Sequence, residues 1–320
     1  MKLSVNMVLP VCAAILASNV LAVECGDTID TATVLTEDLV CVIGEDDEYA
    51  LRVVGPTGVL NLGGYSVTCV IDVFDATGIV VEGFSALVSN GTISGCDDGI
   101  FLGGTGIHNI TGVDIVDFEG DGITIESDNN SILGNQIVGR GLSIGGQGID
   151  LEGSNCIVSQ NNIADVGDRG IESLGNFNTL NNNTIDNTDR DAIWVRGDNS
   201  YVFGNVLTNS QENGVALSGD SNQVISNVIS GSEESGINID GGSNNFVIGN
   251  SALNNLGNSG DFPGGIVISS EESENNSIFS NTAIGNNEFD LRDVFDSGNC
   301  DSSNSWSGNI FVTADPACLD

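Results

Sequence analysis

A repeat of 22 residues restricts the fold of this chain more than any other feature of its sequence. A small residue followed by Ile or Val recurs at this interval, and we call these dipeptides anchors: Gly148-Ile149, Gly170-Ile171, Ala192-Ile193, Gly214-Val215 and Gly236-Ile237. Similar anchors continue on both sides, from Gly58 to Gly265. A unit of this length cannot bury a core alone, so successive units must stack on one another. The sequence therefore predicts a single solenoid of about ten coils.

Short β-strands are expected directly after the anchors. Residues there alternate between apolar and variable types, as in Ile149-Asp150-Leu151 and Ile193-Trp194-Val195. Alternation with a period of two indicates strands with one face in the core, and the intervening Gly, Asn, Ser and Asp residues indicate turns. The pattern predicts an all-β fold, the right-handed parallel β-helix.

An asparagine recurs near one corner of each coil: Asn135, Asn161, Asn183, Asn205, Asn227, Asn250 and Asn281. Asn tolerates the left-handed backbone of a tight turn, and stacked amides can hydrogen-bond from coil to coil. We therefore assign these asparagines a structural role.

The two ends of the chain differ in sequence from the repeats between them. Residues 1–22 contain Lys2 and an apolar stretch from Met7 to Ala17, which predicts a cleavable signal peptide and a secreted, extracellular protein. No later run approaches the ~18 apolar residues that a membrane span needs. Because an open solenoid end exposes a bare sheet edge, we divide the rest into an N-terminal cap (23–57), a parallel β-helix (58–287) and a C-terminal cap (288–320).

Seven cysteines remain after residue 22, as expected for an oxidising compartment. A disulfide between Cys25 and Cys41 would close the first turn, and one between Cys300 and Cys318 the last. Cys69 and Cys96 could join adjacent early coils. Cys156 is then left over, and it is expected to be buried because it shares a repeat column with Asn178, Ser200, Asn222 and Asn244. Five Asn-X-Ser/Thr sites would be glycan acceptors in a eukaryotic source and meaningless in a bacterial one: Asn90, Asn109, Asn129, Asn182 and Asn275.

Charge limits the partners of this protein. The chain has 45 acidic and 7 basic residues, a formal net charge of −38. Such a surface repels nucleic acid and anionic lipid, so neither is an expected partner. Most of these carboxylates would serve solubility, whereas clustered carboxylates in the turns before the anchors could bind Ca²⁺. The candidate calcium ligands are Asp121, Asp168, Asp189 and Asp191.

Two N-terminal segments and the later repeats resemble those of a known group of proteins. The segments CGDTIDTATVLTEDLVC and GPTGVLNLGGYSVTC are similar to the start of secreted right-handed β-helix proteins with pectate-lyase-like repeats, and later coils match the generic repeat of that superfamily. The resemblance covers nearly the whole chain after residue 22. It implies the right-handed β-helix fold. Members of that superfamily include polysaccharide lyases, polygalacturonases, mannuronan epimerases and proteins with no known reaction, so the resemblance leaves the activity open.

A binding groove is predicted on the outward side of the strands that follow the anchors. In these strands the second and fourth residues face solvent, and coils lie about 4.8 Å apart. The anchor interval lengthens to 26 and 29 residues on either side of coils 148–236, which predicts two walls, near Gly139–Gly146 and Leu253–Pro263. An acidic polysaccharide is the expected ligand, because Trp can stack on sugars and Arg can bind hydroxyls or uronates. The candidate substrate-binding residues are Trp194, Arg196, Glu126, Glu152 and Asp240.

Catalysis by this groove would need a base and a group that neutralises a uronate. Asp150, Glu172, Arg169 and Arg196 are the catalytic candidates for such a lyase-like or epimerising reaction, with calcium as the possible cofactor. The segment DDGIFL resembles the polygalacturonase segment with paired aspartates, here Asp97 and Asp98, but the other elements of that family are missing. His108 is expected to be a surface or turn residue.

Two classes of function are therefore open. The first is a secreted enzyme acting on an acidic polysaccharide, with lyase-like activity favoured over hydrolysis or epimerisation. The second is a non-catalytic module that binds glycans or builds a wall or matrix, and the small number of His, Lys and Tyr residues favours it. The sequence leaves the oligomeric state open.

Overall fold

The computed structural model describes residues 23–44, 48–71, 76–142, 145–258, 262–296, 298 and 300–319. The proposed signal peptide, residues 1–22, lies outside the described residues. The described chain is built from parallel β-strands, which confirms the all-β right-handed parallel β-helix expected from the 22-residue repeat.

The strands that contain or follow the anchors from Gly78 to Gly265 belong to one continuous parallel sheet of thirteen strands, here called the anchor sheet. Its strands are β1 (Thr28–Ile29), β4 (Tyr49–Val54), β7 (Thr77–Glu82), β9 (Asp98–Leu102), β11 (Ile123–Ile125), β14 (Ile149–Leu151), β17 (Ile171–Ser173), β20 (Ile193–Val195), β23 (Val215–Leu217), β26 (Ser235–Ile239), β29 (Gly264–Ile268), β32 (Leu291–Asp293) and β34 (Ala314–Asp315). Parallel pairing thus continues into both segments that the sequence analysis treated as caps, and the solenoid is longer than ten coils. Gly58-Val59 was wrongly taken as an anchor, because Val59 begins a strand of a different face.

Two further faces complete each coil. The second face consists of β2 (Ala32–Val34), β5 (Val59–Asn61), β12 (Ser131–Leu133), β15 (Ile157–Ser159), β18 (Thr179–Asn181), β21 (Tyr201–Phe203), β24 (Gln223–Ile225), β27 (Phe246–Ile248), β30 (Ser277–Phe279) and β33 (Ser305–Ser307). The third face consists of β3 (Leu39–Ile43), β6 (Ser66–Ile71), β13 (Gln136–Val138), β16 (Asn162–Val166), β19 (Thr184–Thr188), β22 (Val206–Ser210), β25 (Val228–Ser230), β28 (Ser251–Leu253) and β31 (Thr282–Ile284). The longer strands β8 (Leu87–Ser94) and β10 (Asn109–Val116) pair with strands of both faces.

Each strand pairs in register with the strand one coil later, so the core forms stacked columns of like residues. Ile171 pairs with Ile193, which pairs with Val215, and all three are fully buried. Gly170 permits this close stacking, because a Cβ atom there would lie 2.5 Å from the carbonyl oxygen of Ala192 in the next coil.

The corner asparagines form a buried hydrogen-bonded ladder, which confirms their structural role. Asn205 is typical: its Oδ1 accepts from the backbone N–H of Asn183 at 2.9 Å, and its Nδ2 donates to Oδ1 of Asn227 at 2.9 Å. The expected left-handed backbone lies one residue earlier, as at Asn182 with φ of 55°. This shift has a physical reason: the left-handed residue makes the bend, and the next side chain then points inward along the axis.

A second ladder of buried polar groups runs through the corner that contains Cys156. The backbone N–H of Cys156 donates to Oδ1 of Asn178, and that of Asn222 donates to Oδ1 of Asn245. The column therefore continues at Asn245 and not at Asn244, since this coil has one additional residue. His108 belongs to the same column: its Nδ1 accepts from the backbone N–H of Ala86. It lies at a turn between two strands, as one of the two alternatives predicted, but it is buried, so the expected surface position was wrong.

Disulfides join all six cysteines that the sequence analysis paired. The bonds are Cys25–Cys41, Cys69–Cys96 and Cys300–Cys318. Cys156 is free and buried, as predicted. Within the described part of the chain no helix is long and apolar enough to cross a membrane.

Candidate functional site

A buried guanidinium lies at the centre of the outer face of the anchor sheet. Arg169 directly precedes the anchor Gly170, and its side chain folds back over the sheet, where the residue is 8% exposed. Its Nε lies 3.3 Å from Oδ2 of Asp191, and its Nη1 lies 3.3 Å from Oε2 of Glu172 and 3.5 Å from Oδ1 of Asp168. The fold therefore surrounds one cation with three carboxylates.

Trp194 packs against this cluster. The guanidinium of Arg169 lies over its ring, 3.9 Å from the centroid, and that of Arg196 lies 4.8 Å from the centroid. The indole N–H donates to Oγ of Ser218 at 3.1 Å. The alternation of the strand predicted an exposed ring, but the ring is only partly exposed because Arg169 stacks on it.

Hydrogen bonds extend the cluster toward the C-terminal coils. Oδ1 of Asp191 accepts from the backbone N–H of Asn213 at 3.1 Å and from its Nδ2 at 3.0 Å. The same Nδ2 donates to Oε2 of Glu234 at 3.2 Å. On the N-terminal side, Nε2 of Gln147 donates to Oε2 of Glu172 at 2.6 Å. Polar side chains from consecutive coils thus form one network along the sheet.

Several carboxyl groups on this face are held in an environment that favours the protonated form. Burial, reinforced by the charge of Asp191, raises the pKa of Glu212 to about 7. Burial and the neighbouring Glu172 raise the pKa of Asp150 to about 6. Burial also raises the pKa of Asp121 to about 7, against hydrogen bonding from the backbone of Gln147. These groups therefore exchange protons near neutral pH.

Two adjoining cavities open above the network, and we call them together the groove. One has a volume of about 310 Å³ and the other about 400 Å³, and they share Asn213, Glu234, Asn238 and Asp240. The remaining groove residues are Arg169, Asp191, Trp194, Glu212, Ala216, Ser218, Ser235, Phe262 and Ser269. Phe262 lines the second cavity and packs edge-on against Phe295, with ring centroids 6.5 Å apart.

The groove contains only some of the residues that the sequence analysis selected. Arg169, Asp191, Trp194 and Asp240 line it. Asp150 and Glu172 lie on the preceding strands of the same sheet, and Glu172 is buried. Two substrate-contact candidates, Glu126 and Glu152, are exposed on earlier coils. The groove is thus displaced toward the C-terminal coils from the region first chosen.

Six residues of the network and the groove were not identified from the sequence: Gln147, Asn213, Glu234, Ser235, Phe262 and Ser269. Gln147 and Asn213 occupy the position just before an anchor, which Arg169 and Asp191 also occupy. Glu234 lies two residues before the anchor Gly236, in a coil of regular length. Phe262 lies in the longer connection before Gly265, and the wall around it includes residues 259–261, outside the described residues. For Gln147 and Asn213, the only sequence signal was that the position just before each anchor is usually polar.

A preassembled calcium site is not found in the described residues. No group of three or more Asp, Glu, His or Cys side chains there could hold a metal ion. Two of the calcium candidates, Asp168 and Asp191, are engaged with Arg169 instead. Asp121 accepts a hydrogen bond from the backbone N–H of Gln147 at 2.7 Å. In the described part of the chain, the four candidates, including Asp189, therefore form no preassembled metal site.

The fold and this groove define a right-handed parallel β-helix protein with a charged cleft on one sheet. A sequence model of the family described as right handed beta helix region matches residues 77–176 and 169–317, so the chain belongs to that family. No curated protein sequence matches the chain.

Solved structures with the same fold include enzymes. The A-module of a mannuronan C-5 epimerase from Azotobacter vinelandii aligns with a TM-score of 0.69 at 16% identity, covering 90% of this chain and 87% of that one. A periplasmic alginate epimerase aligns with a TM-score of 0.59 at 15% identity, over 90% and 74% of the two chains. A variant of DFA-IIIase from Arthrobacter chlorophenolicus gives 0.57 at 15% identity, over 77% and 71%. At such identities the likeness concerns the fold alone.

Proposed function

We propose that this protein is exported and binds an acidic polysaccharide in the groove. Support for a carbohydrate ligand comes from the fold, which it shares with epimerases named for mannuronan and alginate. Three disulfides fit an extracellular or periplasmic compartment. Clefts with an aromatic side chain and a few oriented polar groups are typical small-ligand and sugar sites.

The environment of Arg196 is the reason for proposing an acidic ligand. Arg196 is exposed beside Trp194, and among the described residues it has no carboxylate within salt-bridge distance. Arg169 is by contrast paired with three carboxylates. In a chain of net charge −38, a guanidinium without an acidic partner is a ready site for a uronate carboxylate, which Arg can bind through two hydrogen bonds.

Protons reduce the repulsion between the acidic groove and an acidic polymer. Glu212 has a pKa of about 7, so it is largely neutral in mildly acidic solution and can donate a hydrogen bond to a uronate oxygen. Binding should therefore strengthen as pH falls through this range. The proposal needs no metal ion.

Affinity electrophoresis and calorimetry with polygalacturonate, alginate and uncharged dextran test this proposal. Trp194→Ala and Arg196→Ala should each weaken binding of the acidic polymers by about tenfold, as expected when a central interface residue is removed. Arg52→Ala is the matched control, because Arg52 is a partly exposed arginine paired with Glu82 on the same sheet, far from the groove. If both variants bind like the unmodified protein, Trp194 in the groove and the adjacent Arg196 do not form the binding site.

A catalytic role is a second candidate, favoured by the raised pKa of Glu212 beside Asp191. An arginine base, as a lyase-like reaction would need here, is poorly supported: guanidinium stays charged, and Arg169 is held by three carboxylates. Paired carboxyl groups instead suit glycoside hydrolysis, with one protonating the leaving oxygen and the other activating water. New reducing ends that disappear in Glu212→Gln would support hydrolysis, unsaturated uronate ends would support a lyase, and binding without products would support a binding module.

A further inference from the structure

One side of the solenoid has no charged residue over four consecutive coils. The segments 201–210, 223–230, 246–253 and 277–284 contain no Asp, Glu, Lys, Arg or His. They form the neighbouring strands of the second and third faces, from β21 and β22 to β30 and β31. A region without charge is unusual in a chain with a net charge of −38.

Register aligns the outward residues of the second face into two columns along the solenoid axis. The first column is Tyr201, Gln223, Phe246 and Ser277, and the second is Phe203, Ile225, Ile248 and Phe279. We call these eight residues the aromatic face. Tyr201 and Phe246 are each 44% exposed, and Phe203 is 37% exposed. Register thus places apolar side chains next to one another in consecutive coils, whereas single, scattered apolar residues are ordinary on protein surfaces.

We propose that the aromatic face binds an extended, uncharged polysaccharide that lies along the solenoid axis. Tyr201 and Phe246 are two coils apart, which is about 10 Å at the spacing of paired strands. This is close to the length of two sugar residues in an extended chain, so both rings can stack on the apolar faces of alternate sugars. The amide of Gln223 lies between them and can bond to sugar hydroxyls.

The lack of cations on this face and the negative charge of the whole protein favour an uncharged polymer over an acidic one. No cation on the aromatic face can neutralise a uronate, and the field of the whole protein repels polyanions. A neutral glycan meets neither penalty, and aromatic stacking together with burial of apolar surface stabilises its complex.

A second copy of the chain does not fit this face. Four strands about 4.8 Å apart with three residues of about 3.3 Å each make a surface of roughly 200 Å². A stable homodimer typically buries about 800 Å² on each partner. Two copies would also bring two strongly acidic molecules together.

The aromatic face is separate from the groove but belongs to the same coils. Strand β20 holds Trp194 on the anchor sheet, and the chain turns directly from it into β21 of the second face. A neutral wall polymer could thus hold the protein while the groove stays open on the neighbouring sheet. This inference stands independently of the function proposed for the groove.

Pull-down with insoluble cellulose and chitin, and affinity electrophoresis in soluble hydroxyethylcellulose, test the proposal on the full chain. We expect the unmodified protein to bind at least one of these polymers, with little change at high salt because no ion pair is involved. The double variant Tyr201→Ser/Phe246→Ser should bind at least about tenfold more weakly. Both side chains point away from the core, so circular dichroism should show an unchanged fold.

Two comparisons make the result specific. Phe84→Ser removes a phenylalanine that is similarly exposed in an early coil, and it should leave binding unchanged. Trp194→Ala, in the groove, should also leave binding to neutral polymers unchanged. The proposal is overturned if the unmodified protein binds none of the three polymers, if the double variant binds equally well, or if sedimentation shows a dimer that the double variant abolishes.

Discussion

Replacing Arg169 by methionine tests the charge arrangement at the centre of the site. Arg169→Met keeps most of the apolar stem and removes the guanidinium. Asp191 and Glu172, which are 3% and 7% exposed, then lose their common cationic partner, and the ring of Trp194 loses the group stacked on it.

The expected loss of stability is large because the remaining charges are buried. Removing one partner of a buried ion pair typically costs 3–5 kcal/mol, so we expect Arg169→Met to lower the free energy of unfolding by about 4 kcal/mol at pH 8. The adjacent Arg190 supplies the matched control. Its side chain is 49% exposed, and its ion pairs with Asp168 and Glu212 are 3.6 and 3.7 Å long, so Arg190→Met should cost less than about 1 kcal/mol.

The loss of stability in Arg169→Met should depend on pH, and the direction of the pKa shift of Asp191 determines whether the loss grows or shrinks as pH falls. Burial already raises the pKa of Asp191, although Asn213 and Arg169 oppose the shift. Without the guanidinium this pKa rises further. An acid with a raised folded-state pKa destabilises the fold as pH increases through that pKa, and protonation removes the penalty. The difference between Arg169→Met and the unmodified protein should therefore be smaller at pH 5 than at pH 8.

Urea denaturation followed by far-UV circular dichroism at pH 5 and pH 8 measures both effects. Tryptophan fluorescence is less suitable as the only probe, since the variant changes the surroundings of Trp194. The reasoning is refuted if Arg169→Met costs no more than Arg190→Met at pH 8, or if its cost is the same at both pH values.

Three further predictions concern the groove, the ladder and the disulfides. Binding of polygalacturonate should strengthen from pH 8 to pH 5, and Glu212→Gln should flatten this profile in calorimetry because the group with a pKa of about 7 is removed. Asn205→Ala should lower the free energy of unfolding by about 3 kcal/mol in urea titrations, since it leaves buried ladder groups without partners, whereas the exposed Asn162→Ala should cost under about 1 kcal/mol. Replacing both Cys69 and Cys96 by alanine should lower it by about 2–4 kcal/mol, and an unchanged denaturation midpoint would contradict a stabilising disulfide.

Much of the fold was predictable because each coil repeats the same local chemistry. The apolar residues after the anchors identified the core columns, such as Ile171 and Ile193, and the asparagine spacing identified the ladder through Asn205. The pairing of Cys69 with Cys96 could be proposed once the coils were counted. These features depend on spacing along the chain, and the period converts that spacing directly into neighbours in space.

The site was predicted less completely because its side chains cross between coils. Spacing indicated that Glu172 faces outward, but it could not show that Arg169 would fold over it and bury it. The position of the groove depends on Phe262, which comes from an irregular connection where the repeat is broken. Asn213 was missed because an amide has no signal of its own until its contacts with Asp191 and Glu234 are known.

The sequence alone predicted a parallel solenoid with an apolar core and an asparagine ladder at one corner, because a strict period brings the same position of successive coils together. It suggested a pairing for six cysteines, and the structure established the three disulfides. Only the tertiary structure decided which outward residues act together. Long side chains such as Arg169 choose among several neighbours in adjacent coils, and that choice depends on burial and charge in three dimensions. Register likewise gathered Tyr201, Phe203 and Phe246 into one uncharged face. Residues far apart in the chain thus became one surface.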